Sequence, residues 1–246
     1  LLQQYSAGSF QSAEKLFSQS KEKVKSANIY NVGGAIHAAL GNHKEAINAY
    51  ETSIRLDLNF ADPHNNLGSL YRSMGEYTSA AKYFKNAIRI NPNYSNAYYN
   101  LGNLNKFKGT IDEAVSCYVE AIYLDPTNLQ AYNNLCVLLP MYKFSVRNAK
   151  FYKVMQHYLS TYNYVRPSQI IKSILSHLKL EDDLKFELFN ATQYSTIELK
   201  NSLDVLSRYP LLLDMLKLCP IPDQNFENFF RSIRKSLCIN VAGLEL

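Results

Sequence analysis

Residues 61–94 read ADPHNNLGSLYRSMGEYTSAAKYFKNAIRINPNY, and residues 95–128 read SNAYYNLGNLNKFKGTIDEAVSCYVEAIYLDPTN. The second stretch repeats the pattern of the first at a spacing of 34 residues, so that Gly68 recurs as Gly102. A fixed period of this length is typical of stacked supersecondary units, each of which leans on its neighbours. The sequence therefore predicts a repeat architecture over this part of the chain.

Each unit contains two apolar sets with helical spacing. In residues 61–94 the first set runs from Leu67 to Met74 and the second begins at Ala80, with Gly75 marking the turn between them. Neither helix can bury its apolar face alone, so the units are expected to stack. Such a stack leaves a concave groove lined by the first helix of each unit.

The offsets of the Leu-Gly pair, the second glycine, the alanines, the aromatic residue and the proline resemble the tetratricopeptide repeat. The resemblance implies an all-α fold, a right-handed superhelix of helical hairpins followed by a non-repeat helical domain. The repeats are expected to occupy residues 1–140, with units at about 1–26, 27–60, 61–94 and 95–128 and a partial unit at 129–140.

Two departures from the pattern mark the ends of the array. The unit at 27–60 carries Gly33-Gly34, and each glycine costs a helix about 1 kcal/mol relative to alanine, so packing by neighbouring units must compensate. In the last unit Pro140 interrupts the helical register. The repeat array is therefore predicted to end near residue 140.

Residues 141–246 show no further 34-residue repeat, but their apolar residues keep helical spacing. This half is predicted to be a separate, non-repeat helical domain. Its helices are expected at residues 142–162, 167–179, 181–190, 195–208, 210–219 and 223–239.

A row of asparagines gives the clearest functional indication. Asn66, Asn100 and Asn134 each precede a leucine and recur every 34 residues, so they share one position along the groove, and Val32 replaces the first copy. Asparagine is a mediocre helix former, but its amide both donates and accepts hydrogen bonds. It can therefore pair with the main chain of an extended peptide whatever the peptide's sequence.

This row resembles the asparagine ladder in the repeats of O-linked N-acetylglucosamine transferases, and the resemblance implies that the groove holds an extended polypeptide. The same helix faces would offer a peptide further polar side chains, namely Asp62, Asn65, Ser69, Arg72, Asn96, Asn103, Lys106, Gln130 and Asn133. An alternative stays open, in which the repeated asparagines bridge or cap neighbouring helices without any ligand.

Composition excludes several other classes of function. The net charge is +5, and the basic residues form no stripe of the kind that binds phosphates, so no nucleic acid is expected. No run of 18 apolar residues occurs, so no membrane association is expected and the protein is predicted to be cytoplasmic. The four cysteines form no ligand spacing, which predicts buried thiols in a reducing compartment and no bound metal.

The chain carries no readable catalytic motif. Its five histidines form neither HExxH nor HxH, and no glycine-rich phosphate loop is present. His64 stands at the position that is usually aromatic in the repeat, which favours a packing role. The sequence therefore predicts that the chain is not an enzyme and binds no cofactor.

A second resemblance covers the C-terminal half. The stretches LEDDLKFELFN at 180–190 and YPLLLDMLKLCPIPDQNFENFFRSIRKSLC at 209–238 are similar to the linker of bacterial proteins that join tetratricopeptide repeats to an S-adenosylmethionine-dependent methyltransferase. This implies an alternative function, the non-catalytic N-terminal part of a larger methyltransferase or glycosyltransferase. The repeats would then recruit substrate for a covalently linked downstream catalytic domain, or have an architectural role beside it.

Overall fold

The computed structural model describes residues 2–23, 25–142, 148–161 and 171–180, together with residues 184, 207–209, 212, 225–228 and 231. All regular structure in these residues is helical. The helices are α1 Leu2–Ser6, α2 Phe10–Lys23, α3 Ala27–Ala39, α4 His43–Leu56, α5 Ala61–Ser73, α6 Tyr77–Ile90, α7 Ser95–Lys108, α8 Ile111–Leu124, α9 Leu129–Leu138, the 3-10 turn Leu139–Met141, α10 Ala149–Thr161 and α11 Ile171–Leu178.

Helices pair into hairpins in the first compact unit, residues 1–124. The pairs are α1–α2, α3–α4, α5–α6 and α7–α8, and a glycine stands in each turn, with φ between 73 and 78° at Gly8, Gly41, Gly75 and Gly109. Such positive φ values favour glycine because it has no Cβ. The predicted turn at Gly75 is therefore confirmed, and its equivalents serve the other hairpins.

Both predicted apolar sets of the third unit contribute to the core. Leu67, Ala80 and Phe84 are fully buried, which confirms their assignment to inward faces. Met74 differs, because 42% of its surface is exposed. It is the residue after the last turn of α5, directly before Gly75, so the chain has already left the packed face.

Close contact between the two helices of a hairpin explains the glycine of each Leu-Gly pair. A Cβ added at Gly68 would lie 2.6 Å from the ring of Phe84, and one added at Gly102 would lie 2.9 Å from the ring of Tyr118. Real Cβ atoms essentially never approach a neighbour that closely. The aromatic ring of the second helix therefore occupies the space that a side chain on the first helix would need.

Close packing against an aromatic ring explains both glycines of the Gly33-Gly34 pair in α3. A Cβ at Gly34 would lie 2.6 Å from the ring of Tyr50 in α4, and a Cβ at Gly33 would overlap the ring of Phe17 in α2. Helix α3 is thus held between aromatic rings from its own hairpin and from the preceding one. This packing compensates for the helix propensity that is lost at the two glycines.

Hydroxyl groups join the two helices of a hairpin at equivalent positions. The Ser53 hydroxyl donates to the carbonyl oxygen of Ala27 at 2.7 Å, and the Ser95 hydroxyl donates to the carbonyl oxygen of Ala121 at 2.8 Å. Positions 27 and 53 correspond to positions 95 and 121 two repeats later. The serine lies on the second helix of the hairpin in the first contact and on the first helix in the second contact. The start of the first helix is thereby tied to the end of the second.

The second compact unit comprises residues 125–246. The interruption at Pro140 is confirmed, because α9 gives way to the 3-10 turn there. Helix α10 begins after Asn148, whose side-chain oxygen accepts a hydrogen bond from the Phe151 N–H at 2.9 Å. The Asn148 N–H in turn donates to Nε2 of the buried His177 at 2.9 Å, which links the start of α10 to α11.

Two of the helices predicted for this half have described counterparts. The helix predicted over 142–162 is described as α10, and the one over 167–179 as α11. Those predicted at 181–190, 195–208, 210–219 and 223–239 lie largely outside the described residues. The division of the chain after Leu124 differs from the domain boundary near residue 140, which stays a prediction.

Candidate functional site

A cavity of about 500 Å³ opens on the inner face of the first unit. It lies among the first helices of successive hairpins, with Tyr5 from α1, Val32 and Ala35 from α3, and Asn66 and Ser69 from α5 in its walls. Of the predicted groove residues, the structure therefore brings Asn66 and Ser69 together at one cavity.

The row of asparagines is tied to a second row. Nδ2 of Asn66 donates to Oδ1 of Asn31 at 3.0 Å, and Nδ2 of Asn100 donates to Oδ1 of Asn65 at 2.9 Å. Each bond joins the first helix of one hairpin to the first helix of the next. Because Asn31 and Asn65 are only 9% and 7% exposed, these bonds satisfy acceptors that water reaches poorly.

Asn65 is a buried link and not a groove residue, which corrects its predicted role. Its oxygen accepts from Asn100, and its amide also hydrogen-bonds Tyr94. Burial raises the pKa of the Tyr94 hydroxyl, and the hydrogen bond from that hydroxyl to Asp62 raises it further. Asp62, Tyr94, Asn65 and Asn100 thus form one chain of polar contacts between neighbouring units.

Asn66 and Asn100 keep hydrogen-bonding capacity beyond these pairs. Each amide has two N–H donors and an oxygen with two lone pairs, and one donor is used. In the part of the chain that the structure describes, neither side chain makes another hydrogen bond. One N–H and the oxygen of each half-buried amide are therefore available to a ligand on the inner face.

Arg72 and Asn103 are both related to Tyr118, the aromatic residue of α8. The Tyr118 hydroxyl donates to Oδ1 of Asn103 at 2.8 Å, so the oxygen of that amide is already engaged. Burial raises the pKa of Tyr118, and the positive charge of Arg72 opposes this rise, which places the guanidinium within electrostatic reach of the phenol. Among the described residues, no acidic side chain forms an ion pair with Arg72.

The remaining predicted residues spread along the inner helices. Asn96 is exposed at the start of α7, and Lys106 is half-buried in its last turn. Gln130 and Asn133 are exposed on α9. Asn134, on the same helix, is half-buried and already has an interaction partner. These three belong to the second compact unit, which is described by itself.

Several cavity residues were missed by sequence reasoning. Tyr5, Ala35, Ala38, Ala39 and His43 line the cavity, yet none carries a polar pattern that repeats. A shift of 34 residues relates three of them to polar residues, since Ala35, Ala38 and Ala39 stand where α5 has Ser69, Arg72 and Ser73. Small residues such as these make space for a ligand without adding to a repeated polar pattern.

Histidine and cysteine side chains near the core have packing roles. His64 is 8% exposed, and its ring centroid lies 6.0 Å from that of Tyr83. Burial lowers the pKa of His64, and the nearby charge of Arg89 lowers it further. Burial likewise raises the pKa of Cys117 to about 11, although a hydrogen bond from Asn105 opposes the rise.

Among the described residues, no group of three or more His, Cys, Asp or Glu side chains is placed to hold a metal ion. None of the helices described above combines the length and the apolar character needed to span a bilayer.

Family models match the central part of the chain. The model described as TPR repeat matches residues 34–72 and 68–106, and the model described as tetratricopeptide repeat matches residues 95–128. The predicted tetratricopeptide repeats are therefore confirmed over these residues. A comparison with curated proteins found no match.

Solved structures share the fold. The crystal structure of MamA is similar with a TM-score of 0.51 and 20% identity, covering 74% of this chain and 95% of that one. A second MamA crystal structure gives 0.50 and 19%, with 80% and 92% covered. The first TPR of Spaghetti (RPAP3), bound to the HSP90 peptide SRMEEVD, gives 0.44 and 24%, with 46% and 89% covered. The predicted all-α, tetratricopeptide-type fold is confirmed.

Proposed function

We propose, from the premise that residues 34–128 carry tetratricopeptide repeats, that this chain is a protein-binding scaffold. Its groove holds an extended polypeptide against the first helices of the hairpins. The observation that carries the proposal is the pair of amides at Asn66 and Asn100, which are held in place from one side and keep donor and acceptor groups on the other.

The fixed amides suit a main chain better than a particular side chain. Each amide is already ordered by its bond to Asn31 or Asn65, so less side-chain entropy is lost when a ligand binds. A net hydrogen bond contributes about 0.5–1.5 kcal/mol, so two amides alone give weak binding. The cavity beside Asn66 supplies the additional contact area that a peptide needs.

The spacing of the two amides fits an extended chain. Packed helices lie about 8–10 Å apart, and a strand rises about 3.3 Å per residue. Asn66 on α5 and Asn100 on α7 would therefore meet main-chain groups about three residues apart. A polypeptide that follows the groove would meet one amide on α5 and one on α7.

The test compares the groove amides with their internal partners. Residues 1–246 are assayed against an array of unstructured peptides, with the Asn66→Ala/Asn100→Ala double variant beside Asn65→Ala. The double variant should capture peptides about tenfold more weakly, because two ligand contacts are lost.

Asn65→Ala is the matched control, since it removes the bond to Asn100 but no groove amide. Because both groove amides remain and only the ordering of Asn100 is lost, Asn65→Ala should lose stability and should weaken capture less than the double variant does. Equal capture by the wild type and the double variant, with both folded, would contradict the proposal.

The alternative function, the non-catalytic part of a larger methyltransferase or glycosyltransferase, stays a prediction. It depends on residues 180–190 and 209–238, which lie largely outside the described part of the chain.

A further inference from the structure

One edge of the first unit carries the turns between the two helices of each hairpin. The first helices α5 and α7 end at this edge, at Ser73 and Lys108. Helix α7 packs against both α5 and α6, so the turns of these two hairpins are neighbours. We call residues 74–77 and 107–111 the turn edge.

Three apolar side chains at the turn edge form an exposed patch, which we call the edge patch: Met74, Tyr77 and Phe107. Phe107, in the last turn of α7, is 66% exposed, and Met74 is 42% exposed. The ring centroid of Phe107 lies 4.8 Å from that of Tyr77, which itself packs against the buried cluster around Phe84. The Phe107 ring is therefore supported on one side and open on the other, so little side-chain entropy is lost when a partner covers it.

The hairpin fold does not require aromatic residues at these positions. One hairpin earlier, the residues that stand in place of Tyr77 and Phe107 are His43 and Ser73, and both are polar. A turn of the same kind is therefore made with polar side chains. Adjoining apolar side chains on an exposed surface are typical of a protein–protein contact.

Opposite charges stand beside the edge patch. Glu76 directly precedes Tyr77, Lys108 directly follows Phe107, and both charged side chains are exposed. In the part of the chain that the structure describes, neither of them forms an ion pair. The turn edge therefore presents an apolar centre together with one carboxylate and one ammonium group.

A surface of this kind is complementary to itself. In a dimer with two-fold symmetry both copies contribute the same patch, and each contact between two different residues occurs twice. One placement of the axis brings Glu76 of each copy opposite Lys108 of the other, and the alternative brings like charges together. The first placement is favoured, because like charges across an interface repel each other.

We infer that the turn edge is an interface between two copies of this chain, in which the edge patches meet across a two-fold axis and Glu76 of each copy pairs with Lys108 of the other. A standard interface has about 20–30 residues on each side, so this smaller one gives a weak dimer that forms at high protein concentration. No residue of the turn edge lines the cavity beside α3. The inference therefore goes beyond the proposed peptide binding.

The first test measures the mass of the full chain by sedimentation equilibrium. Protein concentrations reach about 1 mM at low ionic strength, where charge pairs are screened least. The mass of the wild type should rise towards that of a dimer. Phe107→Ser introduces the residue that α5 carries at this position, and it should weaken dimerisation at least about tenfold. A wild type that stays monomeric, or equal dimerisation by folded Phe107→Ser, would overturn the inference.

Charge variants test the pairing across the axis. Glu76→Lys and Lys108→Glu should each dimerise at least about tenfold more weakly than the wild type, because like charges then meet. The Glu76 side chain makes no capping bond to α6, so its replacement leaves the helix start intact. An equimolar mixture of the two variants should dimerise again, since opposite charges meet at both contacts. The Glu76→Lys/Lys108→Glu double variant should dimerise by itself.

Recovery on mixing separates a specific interface from damage to the fold, because unfolded variants cannot restore each other. If neither the mixture nor the folded double variant dimerises, the inferred pairing is wrong. Lys82→Glu, an equal charge change on the exposed face of α6, is the matched control and should dimerise like the wild type. If it weakens the dimer as much as Lys108→Glu does, net charge and not the turn edge is responsible. No peptide is present, so these results are independent of the proposed function.

Discussion

The amide of Asn66 donates from Nδ2 to Oδ1 of Asn31 at 3.0 Å, which joins the first helices of two successive hairpins. The same bond recurs one unit later between Asn100 and Asn65 at 2.9 Å. From the repeat pattern alone, a bridge between helices and a contact to a ligand are alternative roles for these asparagines. The geometry allows both roles, because one N–H of the Asn66 or Asn100 amide bonds the neighbouring helix while the second N–H and the oxygen stay available to a ligand.

Removal of Asn66 should destabilise the fold. In Asn66→Ala the buried oxygen of Asn31 loses its donor, and an unsatisfied buried acceptor costs about 1–3 kcal/mol. The measurement is the free energy of unfolding from urea denaturation. The Asn31→Ala/Asn66→Ala double variant should be less destabilised than the sum of the two single variants, and strict additivity would contradict a bond between them.

Gly68→Ala should also destabilise the protein, although alanine is the better helix former. The added methyl would lie 2.6 Å from the ring of the fully buried Phe84, and overpacking of this kind costs about 1–3 kcal/mol. Helix propensity returns about 1 kcal/mol of this at most. The loss should shrink in a Phe84→Leu background, where the smaller side chain makes room, as thermal or urea unfolding will show.

Gly75→Ala is the matched control for this prediction. Among the described residues, nothing beyond its own chain neighbours lies within 4 Å of a Cβ at Gly75, but its φ of 78° disfavours alanine. Its cost should therefore be the same with Phe84 or Leu at position 84. Equal sensitivity of both glycine variants to Phe84→Leu would mean that the ring contact is not what requires Gly68.

The hairpins were predictable because glycine, alanine and aromatic residues recur at fixed offsets. The roles of Asn65 and Asn66 were harder to separate, since these neighbours lie about 100° apart around one helix. Which of them faces the next hairpin depends on how successive units rotate, and a repeat period does not contain that angle. Asn65 was therefore placed in the groove, whereas it is buried between units. The cavity beside α3 was not predictable from repeated polar residues, because it exists where Ala35, Ala38 and Ala39 have short side chains.

The thiol of Cys117 should react slowly in the folded protein. Burial raises its pKa to about 11, so at pH 8 it is almost wholly protonated, and the thiolate is the reactive form. Alkylation by iodoacetamide at pH 8 should be more than about tenfold slower than in 6 M urea. The measurement is mass spectrometry of the peptide that contains Cys117. Equal rates in the folded and unfolded protein would show that this thiol is not protected.

His64 should make stability fall in mild acid. Its ring is buried, and the pKa of the folded protein's imidazole lies below the ordinary value of about 6.5. The unfolded chain then binds more protons than the folded chain as pH falls through about 6.5. Its contribution to stability is complete above that pH and is lost below it, at up to about 1.4 kcal/mol per pH unit. Urea unfolding at a series of pH values measures this slope.

His64→Tyr removes the effect and tests its origin. Tyrosine occupies the equivalent position in the other units, at Tyr30, Tyr98 and Tyr132, so the ring should be accommodated. The buried Nδ1 of His64 has no hydrogen-bond partner among the described residues, so its loss should also raise stability at pH 7, by about 1 kcal/mol. His43→Ala, an exposed histidine, is the control for the pH series. If the slope between pH 5 and 6.5 is the same in wild type and His64→Tyr, the buried imidazole is not its source.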